Sequence, residues 1–132
     1  MILPTGATVA VVDGGKLVMF HNTGHETVKL SPLPTPDVDS TGVVSRGHHA
    51  SIANPDSDAH GEDGFAAAVA AMLNAQALSG KLGDLVVIAA PRTLGELRKH
   101  WHKALQAKLL GEIAKDLTGQ TPDHIATAIL HA

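Results

Sequence analysis

The sequence predicts an α/β fold, a mixed sheet covered by helices. Three observations carry that expectation. Short β-branched segments separated by glycine and asparagine turns fill the first thirty residues, the run Leu85-Val-Val-Ile-Ala-Ala90 is apolar on both faces, and segments of helical period flank that run.

Thr8-Val-Ala-Val-Val reads as a first strand, and Asp13-Gly14-Gly15 as a hairpin turn in which glycine supplies a positive φ. Lys16 to Asn22 reads as the second strand. After a turn at Asn22-Thr23-Gly24, Glu26 to Leu30 alternates polar with apolar as a half-buried third strand does. Pro32, Pro34 and Pro36 then stop the sheet, because proline lacks the donor a ladder needs. The chain runs on through Asp, Ser, Gly and His to Gly61. This loop, at about 34–61, is roughly twice the length beyond which loops are functional or disordered.

Glu62 to Ser79 regains a period near 3.6, with Phe65, Val69, Met72, Leu73 and Gln76 on one face and Gly80 as the C-cap. Leu85 to Ala90 is the central strand. Thr93-Leu94-Gly95-Glu96 has the form of a capping box opening a helix through Trp101. Lys108 to Thr118 fits both a strand and a helix by periodicity. Thr121-Pro122 opens a terminal helix with Ile125 and Ile129 inward. If the ambiguous piece is a strand, the order is β-β-β-α-β-α-β-α. That order is the ribonuclease H-like one, a three-layer fold on a five-stranded mixed sheet.

At 132 residues the chain is sized for a single domain spanning 1–132. Ten basic against thirteen acidic residues give a net charge of −3, so no global basic field drives nucleic-acid binding. Three aromatic residues (Phe20, Phe65, Trp101) leave little for base stacking. The absence of cysteine excludes disulfides and thiolate metal sites. No apolar run approaches a membrane span and the N-terminus has no basic leader, so the expected location is cytoplasmic, away from membranes.

Several landmarks together carry a resemblance: the opening VAVVDGGKLVMFHNTG, the segment SRGHHASIANPDSDAHGED, the strand and helix LVVIAAPRTLGELR, and LLGEIAKDLT before a Pro-led helix. In these the chain resembles the bacterial family of proteins required for attachment to host cells, relatives of the central domain of archaeo-eukaryotic release factors. The resemblance covers nearly the whole chain and implies that Leu110 to Leu117 is the fifth strand. It also implies that the histidine-bearing loop occupies the place where release factors carry Gly-Gly-Gln, whose glutamine positions water at the peptidyl-tRNA ester. The loop has no Gly-Gly-Gln, and Gly119-Gln120 lies elsewhere. Release chemistry therefore does not transfer to any residue, and the expectation is a non-enzymatic adaptor meeting a ribosome, an RNA or a protein partner through the 40–61 loop.

The candidate binding residues are Arg46, His48, His49 and His60 in the loop, and Arg92 at the end of the central strand. A rival reading makes His48, His49, Asp58 and His60 metal ligands of a hydrolase, since imidazole and carboxylate suit borderline divalent ions. Their spacing matches no recognised metal motif, and no cofactor is expected. Asp13, Glu62 and Asp84 invite comparison with nuclease carboxylates, but their places along the strands do not converge. His21, His25, His100 and His102 read as surface histidines, and Trp101 as an edge of the core. Arg92, following a strand and opening a helix, reads equally as an anion contact or as half of an ion pair.

Overall fold

The computed structural model describes residues 1–35 and 57–132, the side chains of residues 57–60 and 62 excepted. The elements are β1 (Thr8–Val12), β2 (Leu17–Asn22), β3 (Leu30–Pro32), α1 (Ser57–Leu78), β4 (Leu85–Ala89), α2 (Pro91–Arg98), α3 (Lys103–Gln106), β5 (Leu109–Ala114) and α4 (Pro122–Leu130). They build one five-stranded sheet in the order β3-β2-β1-β4-β5. The β1–β2 and β2–β3 pairs are antiparallel, and β1–β4 and β4–β5 parallel, so the sheet is mixed. The short α3 is an addition to the expected element order.

Strand alternation divides the core in two. Ala10, Val12, Leu17, Met19, Leu85, Val87 and Ala89 meet Phe65, Val69 and Leu73 of α1, Leu94 and Leu97 of α2, and Leu105 of α3. The alternate residues Val9, Val11, Phe20, Val86, Ile88 and Ile113 meet Ile125, Ala126 and Ile129 of α4. Helices therefore cover both faces, and β1 and β4, central in the sheet, are buried along their whole length. No helix among the described residues is long and apolar enough to cross a membrane.

Several expected boundaries shift, each for a local reason. The third strand lies at Leu30–Pro32 instead of 26–30. Buried Asn22 holds both ends of the intervening turn, its Oδ1 accepting from Gly24 N at 3.0 Å and Lys29 N at 2.9 Å, which keeps residues 24–29 out of the ladder. Pro32 joins the sheet after all, at the end of an edge strand where its missing donor costs nothing. The turn after β1 closes through the Asp13 carboxylate, whose Oδ1 accepts from Gly15 N at 2.8 Å. Among the described residues, left-handed backbone occurs at Gly6, Gly80 and Gly119, not at Gly15.

Helix α1 begins at Ser57, ahead of the expected Glu62. Serine and aspartate are residue types that open helices, and a glycine such as Gly61 costs roughly 1 kcal/mol against alanine without stopping one. Gly80, with φ +78°, ends it as expected, while Lys81 N donates to Gln76 O at 2.9 Å. Helix α2 begins at Pro91, two residues ahead of Thr93; Ala90 is its N-cap and no side chain caps it. Proline at the first position, with its φ pre-set, outweighed the capping-box signal. The ambiguous Lys108 to Thr118 contains a strand, Leu109–Ala114, shorter than the expected 110–117 and parallel to β4.

Candidate functional site at the carboxyl edge of the sheet

Because β1, β4 and β5 are mutually parallel, with Val12 level with Ala89 and Ala89 with Ala114, three strands end at one edge, whereas β3, running the same way, ends level with Val9, three residues short of it. That edge collects the residues just past each of these strand ends: Asp13 after β1, Pro91 and Arg92 after β4, and Lys115 and Asp116 after β5. In open sheets of this kind, ligands are held beyond the carboxyl ends of the strands.

Arg92 stands in the first turn of α2 with its Nη2 3.9 Å from Asp63 Oδ1 of α1, the two side chains 70 % and 45 % exposed. At that distance and exposure the pair contributes little, within about 1 kcal/mol. A cation at the positive end of a helix is itself mildly unfavourable, so Asp63 offsets a local strain. The contact brings the first half of α1 beside the start of α2, at the same edge as Arg92.

Across the edge, Thr118 Oγ1 lies 2.9 Å from Asp13 Oδ2 and 2.8 Å from Asp116 Oδ1. A hydroxyl has one proton to give, so it serves one carboxylate at a time while tying the ends of β1 and β5 together. The sequence pattern set Asp13 beside Glu62 and Asp84 and did not reveal this arrangement. Asp84 precedes β4 and Asp13 follows β1, with Thr8 paired to Leu85. Six residue steps along the strands, roughly 20 Å, therefore separate the two acids, against the few ångströms that two-metal chemistry requires.

Arg46, His48 and His49 lie outside the described residues. Asp58 and His60 fall within helix α1, not within the loop that the sequence suggested, and their side chains lie outside the described set. Among the described residues no group of three or more His, Asp or Glu side chains is placed to hold a metal ion.

The remaining histidines stand apart. His25 is exposed; His21 is half-buried on β2, with its Nδ1 enclosed and without a hydrogen-bond partner among the described residues. His102 caps α3, its Nδ1 accepting from Ala104 N at 3.0 Å, and its backbone N–H donates to Asn74 Oδ1 at 2.9 Å. His100 Nε2 lies 3.4 Å from Glu96 Oε2. Glu96 also receives Lys99 Nζ at 3.0 Å, and that hydrogen bond foremost holds its carboxyl below the ordinary glutamate range. Trp101 packs against the core, and its Nε1 donates to Glu112 Oε2 at 3.0 Å while Arg98 Nε donates to Oε1 at 2.9 Å. The Glu112 fork thus binds the end of α2 to β5, with the Trp101 indole turned inward.

A mixed five-stranded sheet with helices on both faces defines a chain of the α/β class. More particularly, residues 6–129 match the model of bacterial archaeo-eukaryotic release factor family 12, and the chain belongs to that family. No curated protein matches it in sequence.

Proposed function

We propose that this chain is a non-enzymatic, release-factor-like adaptor that meets the ribosome through residues 40–61 and the neighbouring carboxyl edge of its sheet. Membership of a release-factor family in a chain that contains no Gly-Gly-Gln is the observation that carries the reading. On it, Arg46, His48, His49 and His60 make the contacts that the glutamine loop makes in release factors, and Arg92 supports them from the end of β4. The strand order β3-β2-β1-β4-β5 supports a ribonuclease H-like arrangement as the scaffold. A phenotype in host attachment would then be indirect, and a membrane-impermeant label on intact cells is expected to leave the native protein unmarked.

The discriminating experiment adds purified, untagged protein to ribosomes stalled with peptidyl-tRNA. The expected outcome is association with the peptide still esterified to its tRNA. Release above the buffer rate, or a stoichiometric metal ion in the untagged protein together with ester hydrolysis, would contradict the adaptor reading.

A further inference from the structure

We draw no further inference here: the strongest candidate, the Asp13–Thr118–Asp116 cluster at the carboxyl edge of the sheet, is a pair of carboxylates around one hydroxyl with no second, independent observation to say what it would bind.

Discussion

Asn22 is 2 % exposed at the end of β2, and four backbone groups depend on it. Its Nδ2 donates to Leu3 O at 2.9 Å and Pro4 O at 3.2 Å, while its Oδ1 accepts from Gly24 N and Lys29 N. A Cβ at Gly24 would collide with the Thr27 carbonyl, so the turn needs both residues as they are. Asn22→Asp keeps the shape but sets a carboxylate oxygen against two carbonyls, and should cost about 2–3 kcal/mol in urea unfolding, close to Asn22→Ala. A near-neutral Asn22→Asp would show the amide to be dispensable. Glu96 makes a different test. Its carboxyl is held low in the folded protein, so its stabilisation is present near neutral pH and lost as acid carries the pH down through that lowered value. The melting-temperature gap between wild type and Glu96→Gln should therefore be visible at pH 7 and close in acid; an unchanged gap would refute the ion-pair origin.

Helix starts distinguish two threonines that look alike in sequence. Thr121 caps α4, its side chain accepting from His124 N at 3.1 Å, whereas Thr93 lies inside α2. Thr121→Ala should cost about 1 kcal/mol, and Thr93→Ala under about 0.5 kcal/mol. Equal losses, measured by thermal or urea unfolding, would reinstate the capping box. Both segments present Thr and Pro near a helix start, and the order of the two residues decides which threonine caps. At the sheet margin, the β4–β5 register shifts between Leu85 and Val86, passing from Leu109 to Gly111 and leaving Leu110 as a bulge. A bulge in an edge strand disrupts pairing with another chain, and Lys108 and Lys115 flanking it add charge. The buried β4 was legible because both its faces are apolar. The third strand was displaced by a side-chain bond to residues seven positions away, which local alternation does not record.

At the scale of the whole molecule, one surface gathers the ends of the three parallel strands β1, β4 and β5, and the candidate site divides there by sequence distance. Arg92 was legible, because a charge directly after an apolar strand is placed by the strand itself. The Asp13–Thr118 link joins residues 105 positions apart and becomes visible only once β1 and β5 lie in one sheet. Leu73, fully buried between α1 and the sheet, should cost about 2–5 kcal/mol as Leu73→Ala. That variant serves as a folding control for the functional test, since lost stability alone would then be recognisable by its lowered melting temperature. The most direct measurement is co-sedimentation with purified ribosomes, comparing the intact protein with the Arg46→Ala, His48→Ala, His49→Ala triple variant after both are shown to melt alike. Sedimentation of the intact protein, with at least tenfold less of the triple variant in the pellet, is the outcome the adaptor account predicts, in line with the loss of about 1.4 kcal/mol of binding. Failure of the intact protein to sediment, or equal sedimentation of both, would contradict it.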